Sequence, residues 1–426
     1  MITLGCSKNR VDSEVLMEQL HQGGYDVVHD KWTRSRNIVI VNTCGFIDKA
    51  KEESIQTIMD YAGAKSDGRI EKLYVTGCLS QRYAPELEKE IPEVDAWFGT
   101  RDLPKLLKTL RVAYRHELVG ERLLSTPSHF AYLKISEGCN RTCSFCAIPL
   151  MRGKHLSRPL EELLTEARHL AAQGVKELIL IAQELTYYGL DLYKKRSLST
   201  LLDALQEVEG IEWIRLHYVY PAQFPHDLTD AILRNSKVCP YLDMPLQHAS
   251  DKVLQAMRRN ITRKETEKLI QDIRTAIPHI ALRTTMLTGH PGEGSAEFEQ
   301  LIDFVQQMRF DRLGVFTYSH EENTRAFSLP DEISEDEKNE RAARLMEIQE
   351  QISLEMNQHK VGKTFTVLID KKEGGYYVGR TIYDSPEVDN EVLIQATDDT
   401  YLRIGEFTRV RIDSAEAFDL YGSLID

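Results

Sequence analysis

Six of the seven cysteines in this 426-residue sequence fall in two patterned sets, and they are the residues best suited to chemistry. Cys139, Cys143 and Cys146 stand at CxxxCxxC spacing just after a short apolar run breaks at Gly138. On a loop leaving a strand, thiols three and four positions apart can turn toward one point, and thiolates suit iron-sulfur clusters or zinc. Three ligands, with Phe145 between the last two and Ile148-Pro149 closing the turn, suggest a cuboidal cluster with one iron left free for a small molecule. Zinc stays open through His129 or His155 as a fourth ligand, and so does a set of unrelated buried thiols.

The second set is Cys6, Cys44 and Cys78, each beside a glycine at the end of a strand-like run: residues 2–6, 38–45 and 73–78. Helical stretches over 11–22 and 47–62 lie between them, and continuous apolar strands alternating with helices predict a parallel sheet. Ligands gather at the carboxyl ends of such strands. The three cysteines are therefore expected to meet at one sheet edge and to make a second cluster site, with three buried core thiols as the alternative. Cys239, beside Pro240, belongs to neither set and is expected to be a small buried apolar group.

The elements that must position these residues form three units, expected at 1–125, 126–358 and 359–426. Strand-like runs at 132–136, 177–182, 213–219, 241–246, 281–287 and 312–318, with helical patterns between them, make six β/α units. That is too few for a closed eight-stranded barrel and enough for a curved partial one, with its site at the carboxyl ends of the strands. Gln183-Glu184, His217-Tyr218, Gln247-His248 and Arg283 are polar residues at those ends. Residues 334–359 read as an amphipathic helix, through Ala342, Leu345, Ile348 and Ile352. Four short strands then predict a small all-β unit over 364–370, 376–381, 390–396 and 407–412.

Composition bounds the rest. A 42% hydrophobic chain of this length can bury large cores. No run of 18 apolar residues occurs, so neither a membrane span nor a signal peptide is expected, and the cytosol is the expected compartment. An odd cysteine count in patterned contexts favours metal binding over disulfides. The net charge of −13 argues against a broad phosphate-binding surface and permits a basic partner.

The cysteine loop resembles the signature of the radical S-adenosylmethionine (SAM) superfamily, whose three cysteines hold a 4Fe-4S cluster while SAM chelates the fourth iron. Its setting, Glu137-Gly-Cys-Asn-Arg-Thr-Cys-Ser-Phe-Cys-Ala-Ile-Pro149 with Arg152-Gly153 and Ser157-Arg158-Pro159, is similar to the methylthiotransferase branch. Gly5-Cys-Ser-Lys-Asn9 with Asp12-Ser-Glu14, and Asn42-Thr-Cys-Gly-Phe-Ile47 with Ala50-Lys-Glu-Glu-Ser54, resemble that branch's amino-terminal domain, where Cys6, Cys44 and Cys78 would hold an auxiliary 4Fe-4S cluster. Little chain precedes the first strand, so the amino terminus is expected to lack a few residues. The resemblance implies that Gln183, Gln247 and Arg283 contact SAM. It also implies that Gly289-His-Pro-Gly-Glu293 is a turn, without a catalytic part.

The last unit resembles a TRAM domain, a module that usually binds RNA. It carries eight Lys and Arg against thirteen Asp and Glu from Lys360 onward, and Asp384, Glu387, Asp389 and Glu391 are expected to form an acidic loop that docks a basic protein. Within the branch, Phe316-Thr-Tyr-Ser-His-Glu-Glu-Asn-Thr324 and Asp384-Ser-Pro-Glu-Val-Asp389 resemble the RimO type, which modifies the β-carbon of an aspartate in ribosomal protein S-12. The implied cofactors are two 4Fe-4S clusters and SAM. The implied partners are ribosomal protein S-12 and an electron donor such as flavodoxin or ferredoxin. A methylthiotransferase acting on a transfer RNA adenosine, and a non-catalytic iron-sulfur or zinc protein binding ribosomes, are the competing functions.

Overall fold

The computed structural model describes residues 1–31, 37–397 and 401–425. Its first unit is a parallel sheet in the order β1 (Ile2–Thr3), β2 (Ile38–Thr43), β3 (Lys72–Gly77) and β4 (Ala96–Trp97). Helices α1 (Ser7–Gln22), α2 (Asp48–Ser66) and α3 (Cys78–Glu90) follow the first three strands. Val39, Val41, Leu73 and Val75 pack under Ile58 and Ala62 of α2, while Ile40 and Tyr74 pack on the other face with Leu16 and Leu20 of α1. Burial on both faces is why these strands read as unbroken apolar runs.

The central unit opens with β5 (Phe130–Lys134), and a short ribbon of β6 (Ser136–Glu137) and β7 (Leu156–Ser157) brackets the cysteine loop. The sheet continues through β8 (Glu177–Ile181), β9 (Trp213–Leu216), β10 (Val238–Asp243), β11 (Ala281–Thr288) and β12 (Arg312–Thr317). These six strands pair in parallel in chain order, from β5 to β12, as the partial-barrel reading requires. Three strands sit or end earlier than expected: β5 begins at Phe130, β9 ends at Leu216 because Tyr218 turns left-handed (φ 64°), and β10 begins at Val238 and so takes in Cys239, fully buried. The helix Glu335–Gln358 leads out of this unit with Leu345 and Ile352 in the core.

The terminal unit is a closed barrel ordered β13 (Thr364–Glu373), β14 (Tyr376–Thr381), β15 (Glu391–Gln395), β17 (Asp419–Leu424) and β16 (Phe407–Ala415). The closing strand β17 is absent from the sequence reading because Asp-Leu-Tyr-Gly-Ser-Leu carries only a weak apolar alternation. No described helix is long and apolar enough to cross a membrane.

The acidic loop is not a free dock. Asp384 and Asp389 are buried against the central sheet: Asp384 pairs with Arg312, and Asp389 accepts from the Tyr241 hydroxyl at 2.7 Å and lies 3.4 Å from Arg283. His217 Nε2 meets Ser385 Oγ at 2.8 Å, and Glu387 accepts from the Tyr132 hydroxyl at 3.0 Å while facing Arg10 at 3.3 Å. A second buried chain, Arg215–Glu177–Arg380–Asp370–His129, runs through the same interface. The local charge count could not reveal this, because the cations that pair with Asp384 and Asp389 lie on strands 70 or more residues away in sequence. Of the four acids, only Glu387 and Glu391 are substantially solvent-exposed, and Glu391 faces Lys371 at 3.5 Å.

Candidate active site

Cys6, Cys44 and Cys78 each sit where a strand hands over to a helix. Cys6 caps α1, Cys44 follows β2 and Cys78 opens α3. Cys6 and Cys78 therefore stand at helix amino termini, where the peptide dipoles favour a thiolate. The glycines are needed for space: a Cβ on Gly5 (φ 85°) would come within 2.7 Å of Cys44 Cβ and 2.9 Å of its Sγ. Asn9 ties the turn together, donating to the carbonyls of Leu4 and Thr43 at 2.9 Å while its Oδ1 lies 3.7 Å from Cys78 Sγ. Burial raises the Cys44 thiol and pushes Cys78 up to about 12, with Cys6 acting on both and Cys44 also on Cys78 as neighbouring charges. Thiols so hard to ionise give up their protons only to a strong positive charge such as a metal's.

Cys139, Cys143 and Cys146 are carried on the loop between β6 and β7. Gly138 (φ 76°) lets the backbone pass where a Cβ would sit 2.2 Å from the Lys154 carbonyl oxygen. The Cys139 amide then donates to the Gly153 carbonyl at 3.0 Å. Burial pushes Cys139 up to about 11 and raises Cys146, and both feel the Cys143 charge. Donors already face these sulfurs: the Arg141 amide at 3.4 Å from Cys139 Sγ and Arg259 Nη1 at 3.5 Å from Cys143 Sγ, with the Tyr220 hydroxyl 3.9 Å from Cys143 Sγ. Such donors hold negative sulfur and tune a cluster's potential.

Among the described residues no three His, Cys, Asp or Glu side chains converge on a point that would hold a single metal ion. Thiolates on one zinc would lie roughly 3.8 Å apart, twice a 2.3 Å bond opened to the tetrahedral angle. Among the described residues neither histidine groups with the cysteines as a single-ion site; His129 Nε2 lies 2.7 Å from Asp370 and His155 Nε2 3.0 Å from Ser157 Oγ.

One polar network joins the two sets. From Asn9 beside Cys78 it passes to the Arg152 guanidinium, which meets Asp12 at 2.6 Å and Glu137 at 3.2 Å. Lys134 bridges the same two carboxylates, and Gln183 Nε2 donates to Glu137 Oε1 at 2.8 Å. Burial opposes ionisation of Glu137, yet Lys134 and Arg152 hold it at about 2.

Comparison with known proteins gives the family. The description "Uncharacterized protein family UPF0004" matches residues 1–99, the radical SAM superfamily residues 133–305 and the TRAM domain residues 361–425. The ribosomal protein uS12 methylthiotransferase RimO of Cytophaga hutchinsonii is 58% identical over 425 residues, covering 100% of this chain and 97% of the relative. The protein of that name from Phocaeicola vulgatus is 53% identical over 426 residues, covering 100% and 98%. The chain belongs to the RimO family. Among solved structures, the radical SAM methyltransferase TsrM from Kitasatospora setae shares the fold, with a TM-score of 0.54 at 15% identity over 74% of this chain and 72% of that one. Radical SAM membership implies a 4Fe-4S cluster and SAM.

Within the RimO barrel the three expected SAM contacts part ways. Gln183, at the end of β8, keeps a buried Oε1 without a partner, an orphan acceptor that fits a bound ligand. Gln247 is left-handed (φ 77°), and its backbone bridges Thr285 and Leu287. Arg283 is held by Asp243 at 3.0 Å and by Asp389 of the terminal unit. Sequence reasoning missed the cation stack in which Arg141 lies 4.1 Å from the Tyr187 ring and 3.9 Å from the Tyr220 ring, and pairs with Glu184 at 3.2 Å. The Gly289–Glu293 turn, read as a turn alone, also braces the cysteine loop: His290 Nε2 meets Ser144 Oγ at 3.2 Å and its ring packs on Phe145.

Proposed function

We propose that this chain places a methylthio group on the β-carbon of an aspartate in ribosomal protein uS12, with Cys139, Cys143 and Cys146 holding the SAM-binding 4Fe-4S cluster and Cys6, Cys44 and Cys78 a second one. The observation that carries this reading is the Asn9–Arg152–Asp12–Glu137–Gln183 network, which links two cysteine sets at the carboxyl ends of two parallel sheets. An unactivated C–H bond has no usefully acidic proton, so positioned acids and bases cannot open it; a SAM-bound cluster supplies one-electron chemistry that can.

The chain's own residues do the positioning. Gln183 offers its free Oε1 to SAM, and Gln247 follows β10, two strands along the sheet. Arg141, stacked between Tyr187 and Tyr220, presents a fixed cation beside Cys139. Arg283 keeps the terminal loop seated. Arg152 and Lys134 fix the distance between the two cysteine sets, which a sulfur donor and a radical source acting on one carbon must share. An electron donor such as flavodoxin or ferredoxin completes the reaction.

The test is anaerobic reconstitution with an iron count and a 5′-deoxyadenosine assay. About eight irons per chain with reductive SAM cleavage supports the reading. Loading that stops at one cluster, or iron without SAM cleavage, would remove it.

A further inference from the structure

Between the two cysteine sets lies a cation that none of the above employs. Lys8 is two residues beyond Cys6 on α1, is only 7% exposed, and carries its ammonium 3.1 Å from the centre of the Tyr218 ring. Tyr218 is itself held in a left-handed conformation (φ 64°). Its amide donates to Asp243 at 3.2 Å and its carbonyl accepts from Leu185 at 3.1 Å. A bulky residue kept at positive φ is strain that the surroundings must impose, and such strain gathers at ligand sites. Two residues on, Tyr220 faces Cys143. The Lys8 side chain thus runs from the turn that carries Cys6 to the segment that faces Cys143.

The neighbouring charges are already matched. Arg10 faces Glu387 at 3.3 Å, while Lys134 and Arg152 share Asp12 and Glu137. Among the described residues the Lys8 ammonium has no carboxylate within salt-bridge distance and no hydrogen-bond acceptor, only the face of an aromatic ring. A ring face returns part of what burying an ammonium costs, and an anion returns more. The positive field also reaches the next residue: burial first, then Arg283, Arg215 and Lys8, hold His217 well below its ordinary value, so no histidine cation competes for an anion there.

We infer that Lys8 is the specificity-determining residue that binds the carboxylate of the target aspartate, on the Tyr218 ring between the two cysteine sets. The inference rests on the uS12 reading above, and it says why that reading requires an acid. A carboxylate fixed to the ammonium places the adjacent carbon between the radical source and the sulfur source. An amide of the same shape would leave Lys8 without its counter-charge.

The experiment compares binding of unmodified uS12 and of its target aspartate→asparagine and aspartate→alanine variants to reconstituted holoenzyme, by calorimetry, for wild type, Lys8→Met, Lys8→Gln and Lys8→Arg. Methylthiolated product is scored in parallel, and iron content and melting temperature report folding. Wild type should prefer aspartate over asparagine by about tenfold to a hundredfold. Lys8→Met and Lys8→Gln should bring that ratio close to one, and Lys8→Arg should restore most of it. A purely structural lysine would lower binding of all three substrates alike and leave the ratio unchanged, which would overturn the Lys8 assignment alone. So would wild-type enzyme that binds aspartate and asparagine forms equally well, a result that needs no variant to fold. Wild-type enzyme that binds none of the three overturns the uS12 reading and the Lys8 assignment with it.

Discussion

Arg152 Nη1 and Asp12 Oδ2 stand 2.6 Å apart, the first from the segment that follows the CxxxCxxC loop and the second from the helix that begins after Cys6. Each cysteine set is assembled by its own sheet, so nothing within either sheet fixes the gap between them. This ion pair, with Glu137 and Lys134 around it, spans that gap beside the Thr100–Met151 and Arg122–Glu14 contacts.

Removing Arg152 should therefore separate cluster assembly from product formation. Arg152→Met should keep both clusters by iron count and lose at least about tenfold in methylthiolated product. It leaves two carboxylates facing Lys134 alone, which should cost about 3 kcal/mol in denaturant unfolding. A cycle with Asp12→Asn should show coupling of about 0.5 to 3 kcal/mol. Additive effects would mean that the pair does not set the spacing.

The two cysteine sets should be separable by substitution. Cys139→Ala, Cys143→Ala or Cys146→Ala should abolish SAM cleavage and remove one cluster's iron. Cys6→Ala, Cys44→Ala or Cys78→Ala should also remove one cluster's iron, keep SAM cleavage and eliminate product. Gly5→Ala should behave like the second group, because its Cβ would meet Cys44 at 2.7 Å from a backbone at φ 85°. Product from any variant of that second group would break the assignment of sulfur delivery.

Burial holds His290 at about 4 from an ordinary value of 6.5. Between those values the unfolded chain binds a proton that the folded chain does not. Stability should therefore fall as pH drops through that window, by about 2 kcal/mol from about pH 7 to about pH 5. His290→Phe keeps the ring against Phe145 and removes the proton site, so its urea midpoint should depend less on pH by that amount. An unchanged pH slope would show that His290 titrates normally.

Much of this was legible in the sequence because it follows from periodicity and local turns. The six barrel strands, the glycine beside each of Cys6, Cys44 and Cys78, and the exit helix all announce themselves within about ten residues. What lay hidden depends on pairing across long sequence distances. The acidic run at Asp384 to Asp389 looked like a surface because Arg283 and Arg312 lie far from it in the chain, and β17 was invisible because its pairing, not its composition, makes it a strand. Lys8 and Asn9 are ordinary helix residues until Tyr218 and Arg152 arrive from another sheet.

The seated loop makes its own prediction. Asp384→Lys or Asp389→Lys places a cation beside Arg312 or Arg283 in a buried interface. Either should lower the unfolding free energy by about 3 to 5 kcal/mol, with little dependence on salt. Glu391→Lys, at an exposed pair, should change it by less than about 1 kcal/mol. Melting temperatures in low and high salt decide this. A free docking loop would instead show no stability change in any of the three.

The claim that this RimO-family chain modifies a protein side chain is tested most directly by mass spectrometry of both candidate polymers. Unmodified uS12 and transfer RNA are each incubated with reconstituted enzyme, SAM and reductant, and the intact masses and fragments are read. The account predicts one methylthio group on an aspartate of uS12, located at the β-carbon by fragmentation, with transfer RNA unchanged. A methylthio group on an adenosine of the transfer RNA, with uS12 unchanged, would contradict it.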